Sequence, residues 1–171
     1  MQHLLDIKSL SNDEILQIDE LAKYYEKTVV LGTQKRKNRG SVALLFFENS
    51  TRTRFSFEMA SRKLGFDVFN FEVQKSSLLK GEGIFDTLNN LNAIGCDIAV
   101  IRHSQEGFIE NLSKKSYAYN LSLINAGVGK KSHPTQALLD FYTLTKHLGS
   151  LEGKNIVIVW DLLHSRVAKS N

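Results

Sequence analysis

Short, almost wholly apolar runs alternate with segments whose apolar residues recur at helical spacing, and nothing else in the sequence narrows the fold so far. Residues 41–47, 67–73, 97–101 and 121–125 read as strands. Ser11-Asn12-Asp13-Glu14 has the spacing of a capping box, and Ile15, Ile18, Leu21, Ala22 and Tyr25 extend a first helix to about Lys27. Residues 52–64 form a helix with Phe55, Met59 and Ala60 turned inward and Gly65 as its stop. Further helices cover 84–94, about 106–115, and 134–147, the last carrying Leu138, Phe141, Leu144 and Leu148 on one face. Apolar strands separated by single helices specify an α/β fold of three αβα layers, its central parallel sheet covered on both faces.

A last strand over 155–160 opens a new unit after the turn at 149–153. Only residues 161–171 follow it, too few to bury a core of their own. The expected organisation is therefore a domain over 1–150 and the first strand of a second, Rossmann-like domain, cut short, over 151–171.

At 171 residues, 42% hydrophobic and 23% charged, the chain has the composition of a soluble domain able to bury a core. Its longest apolar run, 42–47, is too short to cross a bilayer, and its first residues do not read as a signal peptide. The single cysteine, Cys96, has apolar neighbours and reads as a small core residue, which fits a reducing cytoplasm. The net charge of +4 owes much to Lys35-Arg36-Lys37-Asn38-Arg39. That run carries no interleaved aromatics and reads as a solvated loop, so neither nucleic acid nor membrane is expected as a partner.

In such a sheet, ligands bind beyond the carboxyl ends of the strands, where helices begin. Four successive loops on that edge carry Glu48 to Thr53, Gln74 to Glu82, Arg102-His103, and Asn125 to Gln136. Ser50, Thr51 and Thr53 at a helix start, with Arg52 beside them, can cradle an anion through hydroxyls, backbone amides and a guanidinium. The same residues also read as an ordinary cap with a solvent-facing arginine. Ser132-His133-Pro134 likewise fits a cap followed by proline at the first helical position, yet His133 and Gln136 stand one turn apart at the cradle's edge of the sheet. Arg102 ends a buried strand with no carboxylate beside it in sequence, which points to ligand contact. The polar segment from Ser76 to Glu82 reads equally as a surface loop.

Other chemistries lose support. Gly129-Lys130-Lys131 resembles the end of a P-loop, but Lys131 stands where Ser or Thr is required and Ile124 where the leading glycine belongs. No G-x-G-x-x-G follows a strand, and there is neither an H-E-x-x-H nor a cysteine cluster. No metal or cofactor is expected.

Phe46-Phe47-Glu48-Asn49-Ser50-Thr51-Arg52-Thr53-Arg54 resembles the carbamoyl-phosphate signature of the aspartate and ornithine carbamoyltransferases, and His133-Pro134-Thr135-Gln136-Ala137-Leu138-Leu139-Asp140 resembles their second shared motif. Ser76, Lys80-Gly81-Glu82, Asp86-Thr87, Arg102-His103 before Gln105-Glu106-Gly107, and His164-Ser165-Arg166-Val167-Ala168 are similar to the aspartate branch. The resemblance implies that Ser50, Thr51, Arg52 and Thr53 hold the phosphate. It places Thr53, Arg102 and His133 around the carbonyl oxygen, and Gln136 on the carbamoyl amide. It implies a homotrimer in which Ser76 and Lys80 enter the neighbouring subunit's site, with Lys80 and Arg166 meeting aspartate and Asp161 at a hinge. Regulatory chains are compatible with it.

The reaction so implied is carbamoyl transfer from carbamoyl phosphate to L-aspartate, the second step of de novo pyrimidine synthesis, with no turnover expected from these 171 residues alone. The sequence departs from the family at Trp160, where a small glycine is usual, at Val128, where an acidic residue is common, and at Gly83 in place of serine. Two alternatives stay open: another amine acceptor such as ornithine, or a non-catalytic subunit.

Overall fold

A computed structural model describes residues 2–30, 39–71, 83–115, 120–129 and 132–158. The capping box forms as the sequence specifies. The Ser11 hydroxyl accepts from Glu14 N at 3.2 Å, and the Glu14 carboxylate accepts from Ser11 N at 2.9 Å. From it α1 runs over Asn12–Val30. The chain then alternates as β1 (Ser41–Phe46), α2 (Thr51–Leu64), β2 (Asp67–Phe71), α3 (Ile84–Ala93), β3 (Ile98–His103), α4 (Phe108–Lys115), β4 (Ser122–Val128) and α5 (Pro134–Leu148).

The strands lie in the order β2-β1-β3-β4, and every pairing is parallel. β1 sends its chain to β2 on one side while β3 lies on the other, so winding reverses between β1 and β3. Alternate residues of the central strands serve opposite faces. Ala43, Leu45, Ala99, Ile101 and Leu123 pack with Leu88, Ile109 and Leu112 of α3 and α4. Val42, Leu44, Val100 and Ala126 pack with Phe57 of α2 and with Phe66 and Val68. Cys96 is buried as a free thiol, and Val128 sits in the first of these cores, where an acidic side chain would be costly.

Four expectations need correction. The inward face of α2 is Phe57, Ser61 and Leu64, whereas Phe55, Met59 and Ala60 face solvent, Phe55 being 55% exposed. Both stripes have helical spacing and both carry an aromatic, so periodicity alone cannot choose between them. β2 is an edge strand with Phe69 and Asn70 exposed, not a strand buried on both faces. Leu148 lies outside the packed face of α5 and is 51% exposed, while Leu138, Phe141 and Leu144 are half-buried. Finally, residues 155–158 form no strand, and Val157 is 82% exposed. Strand geometry satisfies backbone groups only through a paired neighbour, and no described strand runs beside them. Trp160 lies outside the described residues.

The sheet gains an unforeseen fifth element at its β4 edge. Leu4 N donates to Leu123 O at 2.8 Å and Asn125 N donates to Leu4 O at 2.9 Å, so the first residues run parallel to β4. Asn125 is not the loop residue its polarity indicates. Its buried amide donates to Leu5 O at 2.8 Å and accepts from Gly127 N at 2.8 Å, which lets β4 continue to Val128. Among the described residues, no helix is long and apolar enough to cross a membrane.

Candidate active site

The carboxyl ends of β1, β3 and β4 are tied together by backbone and side-chain bonds. Phe47 N donates to Arg102 O at 2.9 Å, Gly129 N donates to His103 O at 2.9 Å, and Arg102 Nη1 donates to Ala126 O at 3.0 Å. The N-termini of α2 and α5 open on the same edge, as parallel strand order requires of helices that follow β1 and β4. This edge therefore gathers Ser50, Thr51, Arg52, Thr53, Arg102, His133 and Gln136. Ser76, Lys80, Asp161 and Arg166 lie outside the described residues.

Ser50 caps α2 with no side-chain cap bond, and its carbonyl accepts from Arg54 N at 3.1 Å. Thr51 and Arg52 are exposed, Thr53 is half-buried, and the first turn of α2 contains no acidic residue. Its amides and the helix dipole thus meet no acidic side chain of the helix's own first turn. Arg54 leans instead over Phe55, 5.5 Å from the ring centroid.

Arg102 is more constrained, and the carboxylate absent from its sequence neighbourhood comes from another strand. Its Nε lies 3.5 Å from Glu48 Oε2, both side chains being mostly buried. The register explains the pairing: Phe46 stands opposite Arg102, so Glu48 leaves β1 at the level where Arg102 leaves β3. Glu48 was readable in the first motif, but its partner emerges only once that register is known. A buried guanidinium held by a carboxylate and a backbone carbonyl keeps its orientation.

His133 caps α5 from a buried position, without a side-chain cap bond, and its Nδ1 lies 3.3 Å from Thr135 Oγ1. Gln136 N donates to His133 O at 2.9 Å, and the Gln136 amide nitrogen donates to Asp140 Oδ1 at 2.9 Å. His103 plays a different part. It stacks on Phe108 at 3.7 Å, packs edge-on to Phe47, and accepts from Gln105 N through Nδ1 at 3.0 Å. Burial holds its pKa below the ordinary histidine value despite the opposing pull of Glu48.

Among the remaining residues of interest, Asp86 accepts from Gly83 N at 3.1 Å, so α3 starts without a hydroxyl at its cap. Arg39, the described member of the basic run, donates to the Tyr25 hydroxyl at 2.9 Å.

The arrangement matches known proteins closely. Residues 2–146 fit the family model for the aspartate/ornithine carbamoyltransferase carbamoyl-P binding domain. A relative from Granulibacter bethesdensis named aspartate carbamoyltransferase catalytic subunit is 49% identical over 171 residues, covering 99% of this chain and 53% of its own. Another of that name from Prosthecochloris aestuarii is 44% identical, covering 100% and 55%. The chain thus spans about half the length of the curated relatives it matches. Among solved structures, aspartate transcarbamoylase from Trypanosoma cruzi in complex with carbamoyl phosphate and aspartate superposes with a TM-score of 0.90 at 34% identity, over 99% of this chain and 52% of that one. The same enzyme with carbamoyl aspartate and phosphate gives 0.89 over 99% and 54%. Fold, site edge and family model converge, and the chain belongs to the aspartate/ornithine carbamoyltransferase family.

Proposed function

We propose that this chain provides the carbamoyl-phosphate side of an aspartate carbamoyltransferase, the enzyme that joins the carbamoyl group to L-aspartate and releases phosphate. The observation that carries this reading is the gathering of two helix N-termini and the paired Arg102 on one sheet edge, within a fold shared with an enzyme solved with both substrates. Ser50, Thr51, Arg52 and Thr53 receive the phosphate at the start of α2. Thr53, Arg102 and His133 donate to the carbonyl oxygen. Thr135 Oγ1 lies 3.3 Å from His133 Nδ1, and a hydroxyl donating there would leave the proton on Nε2 for the substrate. Asp140 holds the Gln136 nitrogen, so the amide oxygen is the end offered to the carbamoyl NH2.

The aspartate nitrogen attacks the carbonyl carbon, and negative charge collects on its oxygen. The C=O bond then re-forms, the bond between the carbonyl carbon and the bridging oxygen breaks, and phosphate leaves with the bonding pair and takes up the proton that the nitrogen sheds. Phosphate departs readily once cations hold its charge, so no protein nucleophile enters. Each donor fixed on the oxygen is worth about 3 kcal/mol of barrier, and holding both substrates together removes much of the entropic cost. In this reading residues 1–150 form the carbamoyl-phosphate domain and 151–171 begin the aspartate domain. Ser76 and Lys80 serve the neighbouring subunit of a homotrimer, Arg166 meets aspartate, and Asp161 lies at the hinge. The chain spans about half the length of these relatives, and weak or absent carbamoyl phosphate binding, without turnover, is the expectation for the 171 residues by themselves.

Calorimetric titration with carbamoyl phosphate, and with N-(phosphonacetyl)-L-aspartic acid, tests the reading beside Arg52→Ala and Arg39→Ala. Binding abolished by the first substitution and kept by the second supports it. A folded chain that binds neither ligand overturns it.

A further inference from the structure

Nothing in the motif reading gives the first residues a part in the site. The geometry does. Besides the two backbone bonds of Leu4, the Leu123 amide donates to His3 Nδ1 at 3.1 Å and the Asn125 side chain donates to Leu5 O at 2.8 Å. Four bonds secure this segment along β4. The strap ends at Asp6, which caps the single 3-10 turn Ile7–Ser9. The Asp6 carboxylate reaches further: its Oδ1 accepts from Ser132 Oγ at 3.2 Å, across 126 positions of sequence.

Ser132 is buried, bridges Val128 in antiparallel sense, and immediately precedes His133. Its conformation sets the direction in which the imidazole leaves the chain, because His133 caps α5 with extended φ of −143° and no side-chain cap bond of its own. A hydroxyl held by a carboxylate is the stronger kind of hydrogen bond. Without it, Ser132 keeps only its bridge to Val128 as a described tether outside α5.

We propose that Asp6 is a positioning residue for His133, acting through Ser132, so that the N-terminal strap forms part of the carbamoyl-phosphate site. The catalytic relevance rests on the role proposed for His133 above; the mechanical link does not. Asp6, through Ser132, sets the rotation of the imidazole about its attachment, while the Thr135 hydroxyl lies 3.3 Å from its Nδ1. Small misplacements matter here because a donor must meet the carbonyl oxygen within hydrogen-bond reach.

The test follows the His133 imidazole nitrogens by heteronuclear NMR through a pH titration, in the unaltered chain and in Asp6→Ala, Asp6→Asn and Ser132→Ala. Carbamoyl phosphate is then added to each. Asp6→Ala and Ser132→Ala should shift the His133 titration and tautomer signals in the same sense and weaken carbamoyl phosphate binding about tenfold. Asp6→Asn, which keeps an acceptor oxygen, should restore most of both. If Asp6→Ala fails to fold, Ser132→Ala carries the comparison from the other end of the same bond. Unchanged His133 signals in folded Asp6→Ala or Ser132→Ala would overturn the proposal, as would an Asp6→Asn variant indistinguishable from Asp6→Ala. If the signals respond but no variant or parent binds carbamoyl phosphate, the positioning link stands and the functional reading falls. Arg52-dependent binding with an insensitive His133 gives the reverse.

Discussion

Two helix N-termini face the same sheet edge, and they are built on different principles. α2 begins in the open: Thr51 and Arg52 are exposed, and Ser50 spends no hydroxyl on a cap. α5 begins inside the protein, with Ser132, His133 and Pro134 all buried and Ser132 held by Asp6 from the far end of the chain. An exposed helix start suits a doubly charged group that arrives with its own water, since long-range charge attracts it and several donors can share it. A buried start suits one directional bond to an oxygen whose charge changes during reaction. Under the proposed function, the contrast separates residues that bind from residues that aim.

Substitutions can break this contrast. Arg52→Ala should produce the largest effect on ligand, a loss of carbamoyl phosphate affinity of about a hundredfold, on the scale of a lost bidentate charge-assisted contact. Its melting temperature should stay put because the side chain is exposed. A parallel fall in stability would mean that α2's opening turn is structural.

Gly129→Ala should act through stability instead. The backbone there has φ of +61°, and an added Cβ would lie 2.6 Å from Glu106 Cγ. A loss of about 2 kcal/mol in denaturant unfolding is expected. An unchanged midpoint would show that the α5 side of the edge is looser than its burial implies.

Acid should separate the two sides as well. His3 and His103 each accept a backbone N–H through Nδ1, from Leu123 and Gln105. Burial lowers the pKa of both below the ordinary value of about 6.5. The unfolded chain therefore takes up protons first, so stability falls as pH drops below about 6.5 and goes on falling through the lower folded values. Amide exchange at Leu123 and Gln105 should speed up over that range while the amides of α2 stay protected. Uniform acceleration would remove the distinction.

The smallest effect belongs to Phe55→Ser and Met59→Ser, which should change stability by less than about 0.5 kcal/mol because both side chains face solvent. A larger loss would show that the outward stripe of α2 is covered after all.

Where the sequence was legible and where it was not follows from how local the cause is. The Ser11–Glu14 box, the Gly65 stop and the strand–helix alternation depend on neighbours within a turn, and up to α5 the structure keeps their bounds within about three residues. Gly65 takes the left-handed φ of 90° that a helix stop needs. The polar edge was legible because parallel order dictates where loops gather. The partners of the candidate site residues were not. Glu48 meets Arg102 through strand register, Asp6 meets Ser132 through the strap, and neither is written in spacing. α2 was misjudged for a related reason: Phe55 and Phe57 offer competing stripes, and only tertiary packing selects one.

The strap that pairs Leu4 with β4 also sets an order of events during synthesis. Leu4 leaves the ribosome well before its bond partners at Leu123 and Asn125, which follow some 120 positions later. Contacts so distant in sequence form slowly, and this one cannot form at all until most of the domain has emerged. The sheet's β4 edge is thus sealed late, by a segment that has waited through some 120 positions of synthesis.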